Sequence, residues 1–213
     1  VFLASSANSS ESRFQSSQTF VESMERLENA ILPGEGDLSS QITEFFRTLS
    51  DVEASPGDLA PRAAAIEQGN GLANAFNVTA FVLRDLETQI SGTIDQEVNE
   101  VNRLVESLAS VNGKLRSSNL GASPPNALMD ERDRLISEIS QKVRITVNYG
   151  PRFDVNIRLG EHSNGPVLLE GETSYKIQPI QGDENGVSYK IGTSRVVKTL
   201  DDGGLKGLST ALS

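Results

Sequence analysis

Cysteine is absent from the 213 residues, which excludes disulfides, thiolate metal sites and a cysteine nucleophile. Tryptophan is absent as well, and aromatic residues make up only 5% of the chain, too few for a thick core or an aromatic-lined ligand pocket. With a single histidine, a transition-metal site would have to rest on carboxylates. No stretch approaches the ~20 apolar residues of a membrane span, so membrane insertion is not expected. The start, Val1-Phe2-Leu3-Ala4, is too short an apolar run for a signal peptide and lacks its basic flank. Positive charge is also scarce. The net charge of −10 opposes phosphate backbones and anionic membrane surfaces, so no nucleic-acid partner is expected and plain solubility accounts for the acidity.

What the chain does contain is helical periodicity. Phe14, Val21, Met24, Leu27 and Ile31 recur at helical spacing from Glu11 onward, until Pro33-Gly34. Asp37 or Ser39 can cap a second helix with the apolar stripe Leu38, Ile42, Phe45, Leu49 and Val52, broken by Ser55-Pro56-Gly57. A third helix is predicted from about Pro61, a residue suited to a first turn, and no proline follows until Pro124. Its apolar seam runs Leu72, Phe76, Leu83, Leu86, Ile90, Ile94, Val98, Val101, Val105, Leu108, Val111 and Leu115, close to a coiled-coil pattern. One helix from Arg62 to Arg116 would be roughly 80 Å long at 1.5 Å per residue and would need other helices to shelter that seam. Gly69, Gly71, Gly92 and Gly113 each weaken it by about 1 kcal/mol, and if the helix is interrupted anywhere, a kink or break near Gly69 is the first place expected. After a loop from Ser117 to Pro125, a fourth helix is predicted with Leu128, Arg132, Leu135, Ile139 and Val143 on one face. Its charged face carries an expected Asp130–Arg134 pair at i,i+4.

After Lys142 the period changes to two. Residues 143–149 and 153–159 alternate around a Gly150-Pro151 turn and read as a hairpin. Further strands are expected at Val167–Glu170, Ser174–Gln178, Val187–Ile191 and Arg195–Lys198. Gly203-Gly204 then leads into a returning helix. The fold class is therefore α+β. An elongated bundle of long antiparallel helices (residues 1–142) carries a small antiparallel β-rich domain (143–200), inserted before the start of a returning C-terminal helix (201–213).

Candidate chemistry is sparse. His162 lies in a turn-like loop beside Glu161, a context that favours an exposed loop histidine over a base or ligand. Asp130, Glu131 and Asp133 occupy neighbouring helix positions rather than two walls of a cleft, and a solvated face fits them better than a hydrolase site. Asp183-Glu184-Asn185 lacks the ligand spacing of a calcium loop. Gly69-Asn70-Gly71 and Gly203-Gly204-x-x-Gly207 lack the context of a phosphate cradle, and Gly-x-Ser-x-Gly does not occur. No catalytic, cofactor-binding or metal residue is assigned, and an enzyme is not expected.

Three stretches nevertheless carry a resemblance to a known family. They are Gly36-Asp37-Leu38-Ser39 through Ala75-Phe76, the Asn-punctuated Val98-Asn99-Glu100-Val101-Asn102 through Asn112, and Asn126-x-Leu128-Met129-Asp130-Glu131-Arg132-Asp133-Arg134-Leu135-Ile136-x-Glu138-Ile139-Ser140. They resemble the bacterial flagellar hook-associated protein 1 family, which forms the hook–filament junction, and Gly203-Gly204-x-x-Gly207-Leu208 is similar to that family's return from β domain to helix. The resemblance implies a structural flagellar component, extracellular, exported through the flagellar apparatus without a cleaved signal. It implies as partners copies of itself in a ring, hook protein below, hook-associated protein 3 above and an export chaperone. The family's terminal segments have no counterpart here, and the chain starts with Val and ends at Ser213 within a helical pattern. A central fragment is therefore expected, monomeric in solution and unable to polymerise alone. Flagellin or another hook-associated axial protein is the nearest alternative, and a coiled-coil binding or signalling module is the alternative from another class.

Overall fold

Helix and strand form in the regions where the two periodicities place them, and the departures concern element boundaries, one divided strand and which faces are buried. The structure, a computed structural model, describes residues 2–31, 38–118, 125–181, 186–193 and 195–212. The helices are α1 (Phe2–Ile31), α2 (Leu38–Ala54), α3 (Leu59–Ser117), α4 (Asn126–Lys142) and α5 (Gly204–Ala211). At the start of α3 the Ala60 N–H donates to Asp58 Oδ1 at 3.0 Å, satisfying one of the orphan donors of the first turn, and Pro61 follows. The Pro33-Gly34 stop, the Asp37 cap, most of the Ser117 to Pro125 loop and Asp183-Glu184-Asn185 lie outside the described residues.

The long third helix is continuous, with no break at Gly69, the first place expected for an interruption; α3 is helical over all its 59 residues. A reason is visible in the packing. The Phe45 ring of α2 lies 3.4 Å from where a Cβ on Gly69 would stand, so the missing side chain admits an aromatic face that offsets the glycine's helix penalty. The Asp130–Arg134 pair also gives way. Arg134 reaches Glu131 at 2.7 Å and Glu138 instead.

Among the described residues, seven strands form two antiparallel sheets. Sheet A is β1 (Ile145–Tyr149), β2 (Val155–Leu159), β3 (Val167–Glu170) and β4 (Thr173–Ser174), in that order. Sheet B is β5 (Ile177–Gln181), β6 (Val187–Ile191) and β7 (Arg195–Val197). The β1–β2 hairpin pairs Ile145 with Leu159 and Tyr149 with Val155, but its turn is longer than Gly150-Pro151. Phe153 sits at φ 63°, and the Gly150 N–H closes the loop onto Asp154 O at 2.7 Å. The single strand expected at Ser174–Gln178 is two strands in different sheets. The Tyr175 N–H still bonds Leu168 O in sheet A (2.9 Å), while Lys176 O accepts from the Gly192 N–H beyond β6 (3.0 Å). Strand β5 then runs through Pro179, past the expected end at Gln178.

The chain divides into two compact units, residues 1–23 with 90–213, and residues 24–89. In the first, the seam from Ile90 through Leu115 is buried together with Leu135, Ile139 and Val143 of and after α4, Ile157, Leu168 and Leu169 of sheet A, Tyr189 of sheet B and Leu205 of α5. The amphipathic stripe of α1 is not its buried face: Phe14 and Val21 face solvent and Met24 and Leu27 are only half-buried, while Ser12 and Ser23 are buried. The cause is a backbone-to-backbone approach. A Cβ on Gly207 of α5 would stand 2.5 Å from Ser16 O and 2.9 Å from Phe20 N, and the Gly203 N–H donates to Ser12 O at 3.0 Å. Only small side chains on α1 fit against that glycine ridge, so the serine face turns inward. In the second unit the seam upstream of Ile90 is poorly covered. Among its described residues only Thr48 and Ala65 are buried, and Phe76 and Leu83 are exposed.

Candidate functional site

Among the described residues, Asn112 and Asn102 of α3 and Arg132 of α4 bind backbone groups of the β part of the first unit. Asn112 of α3 is fully buried. Its Nδ2 donates to Val155 O (2.7 Å) and Gly171 O (2.6 Å), and its Oδ1 accepts from the Val155 N–H (3.0 Å). Asn102, ten residues earlier on α3, does the same for sheet B, donating to Ile177 O at 2.9 Å and accepting from the Ile177 N–H at 2.8 Å. In each case a side-chain amide pairs with one strand residue as a neighbouring strand would, satisfying groups that would be costly to leave bare. The Asn spacing was visible in the sequence; its meaning was not, because the partners lie 43 to 75 residues away.

The third anchor explains the Asp130-to-Arg134 run. Arg132 is 5% exposed. Its Nη1 donates to Phe153 O at 2.7 Å, its guanidinium lies 5.1 Å from the centroid of the Tyr149 ring, and Nη2 pairs with Asp133 at 2.6 Å. One residue thus fastens both ends of the β1–β2 loop to α4. Asp130 and Asp133 are exposed and Glu131 is half-buried, so these carboxylates do not converge on a cleft. The Arg134 hydrogen bond holds the Glu131 carboxyl below its usual range.

The other sequence candidates resolve as structure. His162 is exposed in its loop, and Glu161 turns its carboxylate toward Arg144 (3.4 Å) and Arg13 (3.9 Å). Among the described residues no group of three or more His, Cys, Asp or Glu is placed to hold a metal ion. The Gly203-Gly204-x-x-Gly207 ridge is the docking seat for α1. Sheet B is tied to α5 through a 2.5 Å hydrogen bond between Tyr189 Oη and Ser209 Oγ, and burial pushes the Tyr189 phenol up to about 12. Among the described residues no helix is long and apolar enough to cross a membrane.

The second unit presents a surface instead. On α3, Leu59, Ile66 and Phe81 are 77%, 67% and 72% exposed. At 100° per residue they fall within about 60° of one another, on a face centred roughly 110° around the helix from buried Ala65 and from Gly69, which meets Phe45 of α2. Val78 borders this face, and on α2 Phe46 and Leu49 are exposed as well. With the seam upstream of Ile90 poorly covered as well, this stretch of α3 leaves apolar side chains in solvent on both faces, the pattern of a helix built to be covered. Composition alone could not single out this face, because the sequence stripe follows the other one.

Residues 24–212 match the family model described as the flagellar hook-associated protein FlgK helical domain. The chain is similar to flagellar hook-associated protein 1 of Escherichia coli strain K12, 30% identical over 199 residues that cover 89% of this chain and 36% of that protein. It is similar to the protein of the same name from Salmonella typhimurium, 28% identical over 202 residues covering 90% and 36%. In fold it resembles the flagellar hook junction protein FlgK from Burkholderia pseudomallei, with a TM-score of 0.82 at 22% identity over 97% of this chain and 38% of that one. The chain spans little more than a third of the length of these relatives.

Proposed function

Because the chain belongs to the FlgK family of flagellar hook-associated proteins, we propose that the protein it forms part of is a structural component of the bacterial flagellum. It stands at the junction between hook and filament and acts through subunit–subunit packing, with no catalytic step. The observation that carries the packing mechanism is the solvated apolar face of Leu59, Ile66 and Phe81. Fully burying side chains of this size is worth about 1.5–3 kcal/mol each, so a neighbour that covers the face gains enough to hold a lattice contact. In this reading residues 1–142 serve as the helical rod, 143–200 as the β-rich domain and 201–213 as the returning helix. The partners are copies of the same protein in a ring, hook protein below and hook-associated protein 3 above. The protein reaches the cell exterior through the flagellar export apparatus, escorted by a chaperone and without a cleaved signal.

The test is made in the source bacterium with the full-length gene. Deletion is expected to leave hooks without filaments, and cells that still grow filaments overturn the junction role. Ile66→Glu with Phe81→Glu, introduced into the full-length protein, is expected to reproduce the deletion while the isolated chain 1–213 keeps its unfolding midpoint. Normal filaments on that double variant overturn the packing mechanism.

A further inference from the structure

Strand β5 lies at one edge of sheet B, paired with β6 on one side only. Beside its other edge an open groove of about 730 Å³ runs between α3 and β5, lined by Asp95, Asn99, Asn102, Gln178 and Pro179 among others. The groove leaves part of that edge open beside α3, and an open strand edge is a template for a further strand. Its backbone chemistry refuses one. Lys176 O points to the β6 side, where it accepts from the Gly192 N–H, and Ile177 directs both backbone groups the other way, to Asn102. Strand alternation then turns Pro179 and Gln181 outward with Ile177. Of these three outward positions, Ile177 is fully engaged by Asn102, and Pro179 has no N–H to donate.

We propose that Asn102 and Pro179 together keep the outer edge of β5 closed to strand addition by a second copy of this chain. The occupant excluded is a copy because β5, Ile177-Gln178-Pro179-Ile180-Gln181, has Pro179 at its centre. Two β5 edges meeting antiparallel about a two-fold axis would set Pro179 opposite Pro179 and Ile177 opposite Gln181. The central pair would then have no donor on either side, and the flanking pair would find the Ile177 groups already taken. The inference concerns self-association only and stands independently of the junction role.

The test uses the chain 1–213 with Asn102→Ala, Pro179→Val and the double substitution, each followed by sedimentation velocity and by backbone amide exchange. The double variant is expected to dimerise with rising concentration, and the amide introduced at position 179 is expected to slow by at least about tenfold as it does so. Asn102→Ala alone is expected to lower stability and to remain as monomeric as the unaltered chain. A folded double variant that stays monomeric, with a fast-exchanging amide at 179, overturns the proposal, as does dimerisation that leaves that amide unprotected. Should the double variant not fold, Asn102→Ser with Pro179→Val takes its place, the shorter hydroxyl no longer reaching both Ile177 groups while position 179 gains its donor. It is read by the same two measurements: dimerisation with a protected amide at 179 supports the proposal, and a folded monomer with that amide exposed overturns it.

Discussion

Replacing Asn112 with Ala removes three hydrogen bonds at once, those to Val155 O, Gly171 O and the Val155 N–H. Each made bond is worth about 1 kcal/mol net, and a buried group left unpaired costs about 1–3 kcal/mol. Val155 and Asn112 are fully buried, so water cannot readily take over at the Val155 groups, whereas the half-buried Gly171 carbonyl can recover part of its loss. The expected destabilisation is therefore about 3–4 kcal/mol, a large part of the roughly 5–15 kcal/mol typical of a folded domain. Urea unfolding of the chain 1–213, followed by circular dichroism, measures it as a fall in midpoint at unchanged slope. Asn112→Asp separates the two halves of the clamp. A carboxylate can still accept from the Val155 N–H but meets two carbonyl oxygens without a donor, so its folded pKa is raised by burial and by those oxygens. A raised folded pKa means that the acid form is the one tolerated. The Asp variant should accordingly regain stability relative to the unaltered chain as pH falls, and lose it as pH rises through that pKa. A loss under about 1 kcal/mol for Asn112→Ala refutes the idea that this amide holds sheet A to α3.

Gly207→Ala should cost roughly 2 kcal/mol or more, since its Cβ would lie 2.5 Å from Ser16 O; unfolding midpoints check this, and proteolysis should release the start of α1 first. Arg132→Ala loses a buried charged hydrogen bond and the contact with Tyr149, for about 2–4 kcal/mol, and Arg132→Lys should rescue little because an ammonium cannot span both partners; both are read by denaturant unfolding. Tyr189 stays protonated in the folded chain up to about 12, against 10.0 for the free phenol. Its contribution is thus complete below pH 10 and is lost as pH climbs, by roughly 2 kcal/mol at pH 12. Tyr189→Phe should abolish that part of the alkaline decline, and an unchanged pH profile would contradict the assignment.

Much of this fold was legible in the sequence because its signals are local. A period of three and four set α1, α2, α3 and α4, glycine and proline set the interruptions that fall within the described residues, and the change to a period of two after Lys142 marked the sheets. The Arg132 run was legible as a signature but not as a mechanism, since nothing in the run names Phe153 or Tyr149 as its partners. The candidate surface was half legible. The seam of α3 stood out, while the exposed face of Leu59, Ile66 and Phe81 did not, because an apolar residue carries no mark of whether a neighbour is present to cover it.

By itself, then, the sequence determined which stretches would be helix and which would be sheet, and its lack of cysteine left these residues no thiol chemistry. Only the tertiary structure decided which faces meet. It turned the serines of α1 inward and Phe14 outward because the glycine ridge of α5 admits backbone where it would not admit a phenyl ring. It split one predicted strand between two sheets because the Asn102 amide captures Ile177 from 75 residues away. Periodicity is a property of neighbours along the chain, whereas steric fit and the pairing of buried polar groups are settled between segments far apart in it.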